Sequence, residues 1–466
     1  MKYHKMNDHD LKALRAMVGP DRFFAGDEIE KDYSHDELGT VSAYPDAHIL
    51  PLNKEEISQI MKYAYAYNIP VTVRGAGTGL VGASVPIFGG ILLDISKMNR
   101  IIELDKDNLT LRVEPGVLLL DIYEAVEKEG LFYAPDPGEK TATISGNIST
   151  NAGGMRAIKY GVTRDWVRGL EVVLPDGSIE TFGGKVVKNS TGYSLKDLII
   201  GSEGTLAIIT EATLKLMPKP AKTVTLLVPF NTREDAIKAA PQLINDHVLP
   251  VAMEFLERQS LQFSEAFLGK KIPHDNHPAY LLLSYDGNHD EALNADVEKA
   301  SALCIDKYNA IDVYLGDTDE RRNNIWTVRG GFLEAIKASS DQIDECDVVL
   351  PRSNIGAFLA EVRQLAKDLD VRVPYFGHVG DGNLHIYFCK DNMDEKIWQE
   401  KIEKGFDFLY KRAFHYGGLV SGEHGVGYAK KQYMNEQLGP NQIRIMKGIK
   451  QSFDPKNILN PGKIID

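Results

Sequence analysis

Two glycine-flanked segments concentrate histidine and acidic residues. Residues 378–385 read His-Val-Gly-Asp-Gly-Asn-Leu-His, and residues 422–425 read Gly-Glu-His-Gly. Asp381-Gly382 has the chemistry of a tight turn, so we expect His378 and His385 to flank a chain reversal and converge. Two imidazoles and a carboxylate leave coordination positions open, as in a catalytic divalent metal site for Zn, Mn or Fe(II). The alternative is a hairpin whose histidines bond to the backbone.

A second candidate is a glycine loop that follows a strand-like run. Residues 71–74 read Val-Thr-Val-Arg and continue as Gly75, Ala76, Gly77, Thr78 and Gly79. Glycines let backbone N–H groups approach a phosphate, because no Cβ intervenes and positive φ costs them little. No Gly-Lys-Ser/Thr follows, and residues 80–87 contain Gly82 and Pro86, so neither a Walker A loop nor a Rossmann helix is indicated. The loop is either a phosphate cradle or a structural turn.

Further glycine clusters follow this loop. Residues 143–147 read Thr-Ile-Ser-Gly-Asn, residues 151–154 Asn-Ala-Gly-Gly, and residues 201–206 Gly-Ser-Glu-Gly-Thr-Leu. Small hydroxyl and amide side chains beside glycine suit close wrapping around a large polar cofactor. Glycine-rich β domains need turns, and this accounts for each cluster separately. It accounts less well for the presence of so many clusters close together in the sequence.

Two arginines could bind a carboxylate bidentately, Arg329 and Arg352. From the residues alone, an ordinary surface arginine on or near a helix is the better explanation of both.

The pattern of the chain predicts more than one domain, since a single core stops growing near roughly 250–300 residues and the chain has 466. Residues 48–216 alternate short β-rich runs, glycine turns and helices, which indicates an α+β domain. Met217-Pro218-Lys219-Pro220 marks a boundary, and strand-helix alternation beyond it predicts an α/β sandwich. Asn7 or Asp8 should begin an N-terminal helix that ends at Gly19-Pro20. We also predict helices 55–68, 119–129, 233–245, 293–308 and 401–416, strands 70–74, 90–95, 223–228 and 279–285, and a hairpin over 101–113.

Composition excludes several classes of protein. With 53 Lys plus Arg against 66 Asp plus Glu, the net charge of −13 leaves no basic field for nucleic acid. The three cysteines stand far apart and indicate a reducing compartment. We find no signal peptide and no apolar run long enough to span a bilayer, so we expect a cytoplasmic protein without membrane insertion.

The motifs together resemble the FAD-dependent D-2-hydroxy-acid dehydrogenases. The resemblance rests on the glycine loop, the clusters at 151–154 and 201–205, both histidine segments, and Asn460-Pro461-Gly462-Lys463, in order along nearly the whole chain. This group includes glycolate oxidase large subunits, D-lactate dehydrogenases and D-2-hydroxyglutarate dehydrogenases. The chain also resembles the lactate dehydrogenase subunit of anaerobic, electron-bifurcating complexes linked to an electron-transfer flavoprotein.

The resemblance implies a two-lobed FAD-binding domain of vanillyl-alcohol oxidase type plus a C-terminal α/β sandwich cap domain. Its bounds would be an N-terminal helical segment (1–39), the FAD domain (40–219), a substrate and metal-binding cap domain (220–430) and a C-terminal segment returning to the FAD domain (431–466). The loop from Arg74 to Gly79 would cradle the pyrophosphate. Other FAD-lining residues would be Pro135, Asp136, Thr143, Gly146, Asn147, Asn151, Gly153, Gly154, Gly161, Glu203, Gly204 and Asn460. No histidine is available in the glycine loop, so we expect noncovalent FAD.

The resemblance also implies the catalytic roles. His378, His385 and Glu423 would bind the metal, His424 would act as general base, and Arg329 would hold the substrate carboxylate. A metal-bound α-hydroxyl is easier to deprotonate, and a nearby imidazole can take that proton as hydride leaves Cα for flavin N5.

Departures from the family pattern bear on the substrate. In hydroxyglutarate enzymes, polar residues reach the distal carboxylate from three places that here hold Leu333, the acidic pair Asp344-Glu345, and Tyr387. A second carboxylate would meet apolar or like-charged groups, which favours D-lactate. We expect electrons to pass to an electron-transfer flavoprotein. The alternatives are a glycolate oxidase subunit, a D-2-hydroxyglutarate dehydrogenase and, from another class, a flavin-binding scaffold.

Overall fold

A computed structural model describes residues 3–273 and 276–465. The helices are α1 (Asp8–Val18), α2 (Lys54–Tyr67), α3 (Leu119–Glu127), α4 (Ile144–Thr150), α5 (Ala157–Tyr160), α6 (Thr163–Trp166), α7 (Leu195–Ile199), α8 (Arg233–Asn245), α9 (Arg258–Leu268), α10 (Asp290–Asp306), α11 (Asp319–Gly330), α12 (Phe332–Ala338), α13 (Ile355–Leu369), α14 (Glu395–His415), α15 (Lys431–Gln437) and α16 (Pro440–Phe453). The strands are β1 (Phe23–Ala25), β2 (Ala47–Ile49), β3 (Val71–Arg74), β4 (Ile91–Asp94), β5 (Ile101–Asp105), β6 (Thr110–Val113), β7 (Leu131–Phe132), β8 (Val167–Val173), β9 (Ile179–Gly183), β10 (Ile208–Lys215), β11 (Met217–Pro218), β12 (Lys222–Phe230), β13 (Ala252–Glu257), β14 (Ala279–Gly287), β15 (Tyr314–Gly316), β16 (Ile343–Val349), β17 (Tyr375–His378) and β18 (Asn383–Cys389).

Local sequence signals locate many of these elements. Asn7 caps α1 by accepting hydrogen bonds from the backbone N–H groups of His9 and Asp10, and Gly19 ends the helix with a φ of 87°. The predicted hairpin is formed by β5 and β6, and the predicted helix over 233–245 is α8. The last predicted helix begins earlier than expected, because Asp394 rather than a later residue provides the N-cap of α14.

The chain divides into two compact units. The first unit comprises Met1–Ala152, Val162–Lys219 and His424–Asp466, and the second comprises Gly153–Gly161 and Pro220–Glu423. The FAD-domain bounds at 40–219 and the other bounds given above stay a prediction.

The first unit contains two main sheets. One has the order β1-β2-β4-β3, in which β2 and β3 both run parallel to β4. The other is antiparallel with the order β5-β6-β10-β8-β9. Leu459 of the C-terminal segment forms a parallel bridge to Val71 at the edge of β3, so the end of the chain extends the first sheet beside the glycine loop.

The second unit is built on one antiparallel sheet of the order β15-β12-β14-β13-β17-β18-β16. One face packs against α9, α11 and α12 through a core that includes Leu256, Phe332, Phe376 and Tyr387. The other face meets α14, where Phe388 of β18 lies edge to face with Phe406 at 5.5 Å. Because helices cover both faces of the sheet, the sequences of its central strands are almost continuously apolar.

Across residues 3–273 and 276–465, no helix has both the length and the apolar composition that crossing a bilayer requires.

Candidate functional site

The register of the sheet in the second unit gathers ionisable side chains on one face. Phe255 of β13 pairs with Gly377 of β17, so the next residues along, Glu254 and His378, stand opposite each other. His385 of β18 is paired with Phe376 on one side and Asp347 on the other. Because side chains alternate between faces with a period of two, all of these except Phe255 and Gly377 point to the same side.

The predicted metal ligands come together within this unit. The Nε2 atoms of His378 and His385 lie 3.6 Å and 3.3 Å from Glu423 Oε1. One donor atom from each of the three residues fits within 4.8 Å of the other two. Two imidazole nitrogens and one carboxylate oxygen are a donor set that can hold Zn, Mn or Fe(II).

Each imidazole is oriented by a second carboxylate. His378 Nδ1 lies 2.6 Å from Glu254 Oε1, and His385 Nδ1 lies 2.9 Å from Glu345 Oε1. A carboxylate on Nδ1 fixes the tautomer and leaves Nε2 to act as a ligand, as in many metal sites. The residues therefore fit a divalent ion by their chemistry as well as by their positions.

Charge is concentrated and strongly coupled in this cluster. Burial lowers the pKa of His385, but the Glu345 and Glu423 carboxylates outweigh it and raise that pKa to about 9. Burial likewise opposes charge on His378, whose pKa Glu254 and Glu423 raise well above its usual range. Burial would raise the pKa of Glu423, yet the two imidazoles hold it well below its usual range. Glu423 is therefore ionised, and a divalent ion that binds here would displace the imidazole protons that balance its charge.

Asp347 anchors the loop that carries Glu423. This fully buried residue accepts hydrogen bonds from Asn383 Nδ2 at 2.7 Å, from Ser421 Oγ at 2.8 Å and from the backbone N–H of Gly422 at 3.1 Å. The backbone N–H of Glu423 also donates to it, at 3.3 Å. Residues 421–423 are thus fixed to β16 by one carboxylate.

Arg329 is buried on α11, so the sequence-based explanation of it as a surface arginine is wrong. Its Nε and Nη2 donate to Glu254 Oε2 at 2.9 Å and 2.6 Å. Its guanidinium carbon lies 4.5 Å from the ring centroid of Phe376. Arg352, by contrast, is exposed and donates from Nε to the carbonyl of Gly380 at 2.5 Å.

The glycine loop of the first unit is closely packed on both sides. A Cβ added at Gly75 would lie 2.2 Å from Thr143 Oγ1, and one at Gly77, whose φ is 78°, would lie 2.0 Å from Arg74 Nη2. Arg74 is buried and donates from Nη1 to the carbonyl of His35 at 2.6 Å. Only glycine fits the two positions without a shift of neighbouring atoms.

Buried polar atoms near these glycine clusters fit a polar cofactor. Ser84 Oγ, Asn147 Nδ2 and Ser202 Oγ are buried and have no hydrogen-bond partner among residues 3–273 and 276–465. Unsatisfied buried groups are costly, and a nucleotide cofactor would supply partners for them. Thr143 caps α4 by accepting from the N–H of Gly146, and Asn151 ends α4 in the left-handed region with a φ of 53°.

The C-terminal segment joins the same part of the first unit. Asn460 Nδ2 donates to the carbonyls of Ala83 and Glu203 at 2.9 Å and 2.8 Å. A Cβ at Gly204 would lie 4.0 Å from that same Nδ2. Lys463 is buried and donates from Nζ to the carbonyl of Val85 at 2.6 Å. The tail is therefore part of the wall around the glycine clusters.

Glu203 has a structural role that the motif alone does not indicate. Its carboxylate accepts the backbone N–H groups of Val426 and Gly427, each at 2.7 Å. A Cβ at Gly425 would lie 2.8 Å from Glu203 Oε1. Burial raises the pKa of Glu203 to about 7, although the two backbone hydrogen bonds lower it. Glu203 thus fixes the backbone just after His424.

The remaining predicted residues are distributed between the units. Asp136 of the first unit pairs with Lys140, and the neighbouring carbonyl of Pro135 accepts from Tyr123 Oη at 2.5 Å. Gly153, Gly154 and Gly161 belong to the second unit, where a Cβ at Gly153 would lie 2.8 Å from Glu423 Oε2. His424 is half-buried and begins the last stretch of the first unit, directly after Glu423 in the chain.

Sequence reasoning missed three carboxylates of this site as functional residues. The motifs do not indicate Glu254 or Asp347, and they indicate Glu345 only through its expected effect on substrate size. A signal was present for Glu254, since it stands between apolar residues in the buried strand β13. A charged residue in such a strand is seldom kept without a partner.

Comparisons with known proteins agree with this architecture. Residues 45–183 match the family described as FAD binding domain, and residues 219–464 match the family described as FAD linked oxidases, C-terminal domain. The chain is 45% identical to a D-lactate dehydrogenase of Anaerostipes hadrus over 99% of this chain and 98% of the relative. It is 40% identical to glycolate oxidase subunit GlcD of Bacillus subtilis strain 168 over 98% of this chain and 96% of that protein.

The chain belongs to the FAD-dependent D-2-hydroxy-acid dehydrogenase family. The fold of this dehydrogenase is that of the vanillyl-alcohol oxidase type, as predicted. It superposes on p-cresol methylhydroxylase with a TM-score of 0.81 at 18% identity, covering 98% of this chain and 97% of the other. This dehydrogenase is thus an FAD-dependent oxidoreductase with an FAD-binding domain and an FAD-linked oxidase C-terminal domain.

Proposed function

We propose that this dehydrogenase oxidises D-lactate to pyruvate with noncovalently bound FAD and one divalent metal ion. The observation that carries the proposal is the cluster of His378, His385 and Glu423, with Arg329 joined to the same cluster through Glu254. The D-lactate dehydrogenase of Anaerostipes hadrus, at 45% identity, supports the choice of substrate.

Arg329 binds the substrate carboxylate in this proposal. Glu254 engages two of the five guanidinium N–H groups, and the Nη1–Nη2 edge is suited to bidentate binding of a carboxylate. Burial and the contact with Phe376 restrict the guanidinium plane, so the bound substrate is oriented as well as attracted.

His424 takes the proton of the α-hydroxyl. It directly follows Glu423, and Asp347 and Glu203 fix the backbone on its two sides. When bound, the metal ion supplies a Lewis acid that makes the hydroxyl easier to deprotonate, and FAD supplies the acceptor for the hydride. His378, His385 and Glu423 would hold the ion, and the residues around the glycine loop would hold FAD.

The positions that hold polar residues in hydroxyglutarate enzymes, here Leu333, Asp344-Glu345 and Tyr387, support a short monocarboxylate as the substrate. Tyr387 is buried and donates from its hydroxyl to Glu345 Oε1 at 3.0 Å. Leu333 is apolar and packs against the core of the second unit. A distal carboxylate near these residues would be desolvated and repelled by Glu345, at a cost of roughly 2–5 kcal/mol. D-lactate is therefore favoured over D-2-hydroxyglutarate.

The electron acceptor in this proposal is an electron-transfer flavoprotein, in the manner of electron-bifurcating lactate dehydrogenases. This part rests on the family resemblance. No disulfide links the buried cysteines Cys304, Cys346 and Cys389, which is in keeping with a cytoplasmic, reducing setting. An oxygen-using glycolate oxidase subunit is the second candidate, supported by the 40% identity to the Bacillus subtilis protein.

Anaerobic mixing with substrates tests the proposal. The purified protein is mixed in turn with D-lactate, L-lactate, glycolate and D-2-hydroxyglutarate while flavin absorbance is followed. D-lactate should bleach the flavin fastest, and added electron-transfer flavoprotein should restore its colour faster than air. Fastest bleaching by glycolate together with rapid reoxidation in air would favour the oxidase. Bleaching by none of the four would contradict the proposed function.

A further inference from the structure

Glu254 divides its carboxylate between the two parts of the proposed site. Its Oε1 lies 2.6 Å from His378 Nδ1, and its Oε2 accepts from Arg329 at 2.9 Å and 2.6 Å. We propose that Glu254 is a positioning residue that ties the substrate-binding arginine to the metal-binding imidazole. The inference rests on the proposed function, because it assumes that both groups act there.

The surroundings of Glu254 indicate a role in positioning rather than in stability. Glu254 is 0% exposed and lies on the sheet face that carries the apolar core of Leu256, Phe332 and Phe376. Replacing a buried ion pair by apolar residues of similar volume is often neutral or stabilising. A charged pair in this core therefore costs desolvation free energy that its attraction hardly recovers, and a function explains it better than folding does.

Arg329 and His378, the two partners of Glu254, are both held in place, so a displacement of one is transmitted through Glu254 to the other. The Arg329 guanidinium carbon lies 4.5 Å from the Phe376 ring and 5.5 Å from the Phe332 ring, which restricts movement of its plane. His378 is held by the short bond to Oε1 on one ring nitrogen, with Glu423 beside the other. A carboxylate satisfies both partners because each of its oxygens accepts independently.

Glu345, the carboxylate bonded to Nδ1 of His385, makes different contacts from those of Glu254. Glu345 Oε1 receives both His385 Nδ1 and the hydroxyl of Tyr387, so it joins a ligand to the wall of the site and not to Arg329. Glu254 is distinguished from it by its hydrogen bonds to Arg329, the proposed carboxylate-binding group.

The test uses E254Q in the full-length flavoprotein. A glutamine has one acceptor oxygen and an NH2 group, so it can satisfy His378 or Arg329 but not both. We expect the affinity for Mn²⁺, measured by titration of the chelator-treated protein, to fall about 10–100-fold. We expect KM for D-lactate to rise at least about tenfold, a larger change than in kcat, with FAD content unchanged.

E257Q is the matched control. Glu257 lies on the same strand, is buried, and pairs with Arg233 and with the hydroxyl of Tyr375, on the opposite face of the sheet. Its substitution removes a buried carboxylate without touching His378 or Arg329. It should leave both the Mn²⁺ affinity and KM at their wild-type values, whatever it does to the melting temperature.

The outcomes separate this inference from the proposed function. Mn²⁺ binding and D-lactate oxidation by the wild type, with both values unchanged in E254Q, would overturn the role of Glu254 alone. Failure of the wild type to bind any of Zn²⁺, Mn²⁺ and Fe²⁺, or to oxidise D-lactate, would overturn the proposed function and this inference with it. If E254Q loses FAD, the E254D variant is measured instead, because its shorter side chain cannot reach both His378 and Arg329. A Mn²⁺ affinity and a KM for D-lactate that both equal the wild-type values would overturn the inference, and shifts in both would support it.

Discussion

The imidazole rings of His378 and His385 lie edge to face, with centroids 5.4 Å apart and an interplanar angle of 86°. Their Nε2 atoms both face Glu423, and a different carboxylate is bonded to each Nδ1. The hairpin formed by β17 and β18 produces this geometry, since its register places the two histidines on one face near the turn.

Substitution of His385 by alanine should remove metal binding without removing FAD. The Nε2 ligand is lost, while the glycine loop and the C-terminal segment belong to the other unit and are unaffected. We expect kcat/KM for D-lactate to fall at least about a hundredfold. Element analysis and flavin absorbance on the same sample measure both effects. The control is H415A, at an exposed histidine of α14, which should behave as wild type.

Asp347→Asn should release the loop that carries Glu423. An amide places an NH2 group where donors from Ser421, Gly422 and Asn383 already point, so at least one buried donor loses its acceptor. The free energy of unfolding should fall by about 1–3 kcal/mol, and Mn²⁺ affinity should fall with it. Urea unfolding and metal titration provide the measurements. Wild-type Mn²⁺ affinity in D347N would show that the loop needs no such anchor.

Gly77→Ala should weaken FAD binding because the added Cβ overlaps the Arg74 guanidinium and the φ of 78° is unfavourable for alanine. We expect an FAD dissociation constant at least about tenfold higher, measured by flavin release on dilution. The G130A variant tests the effect of the unfavourable φ without an overlap, because Gly130 has a φ of 70° but a Cβ there would meet no atom within 4 Å. G130A should lose about 1 kcal/mol of stability and keep its FAD. Equal FAD retention in the two variants would argue against the role of the loop.

Glu203 should make stability depend on pH. Burial raises its pKa in the folded protein to about 7, above the roughly 4.3 of an unfolded chain. The folded protein therefore binds more protons between these values, and the contribution of Glu203 to the free energy of unfolding is fully present below the unfolded pKa and lost as pH rises through about 7.

The measurement compares wild type with E203Q in urea unfolding from pH 4.5 to 8. The free energy of unfolding of the wild type should fall by about 1–3 kcal/mol relative to that of E203Q over this range. E180Q, at an exposed glutamate of β9, controls for the lost charge and should follow the wild type. Parallel pH profiles of wild type and E203Q would contradict the raised pKa.

Much of the fold could be predicted from local signals in the sequence. The Asn7 cap, the glycine at position 19 and the Asp381-Gly382 turn locate α1 and the β17–β18 hairpin without reference to distant residues. The convergence of His378 and His385 follows from that turn. Glu423 joins them from another part of the chain. Its glycine-flanked segment indicates it as a candidate ligand, and the family resemblance implies that it is the third ligand.

The supporting carboxylates could not be predicted in the same way. Glu254 reaches His378 because β13 and β17 are neighbours, and their separation in sequence carries no sign of that pairing. Asp347 and Glu345 depend likewise on the pairing of β16 with β18. The hydrogen bonds of Glu203 could not be predicted either, because its motif indicates a glycine turn but gives no sign of the bonds to Val426 and Gly427. Strand order in an antiparallel sheet is set by the whole core.

X-ray absorption at the metal edge tests most directly whether His378, His385 and Glu423 hold a catalytic ion. The purified wild-type enzyme, loaded with Zn²⁺, should contain one metal ion per FAD, with nitrogen and oxygen neighbours at about 2.0–2.2 Å and two imidazoles in its first coordination sphere. H385A should lose the ion. Metal bound through sulfur, or retained in H385A with an unchanged spectrum, would contradict the account.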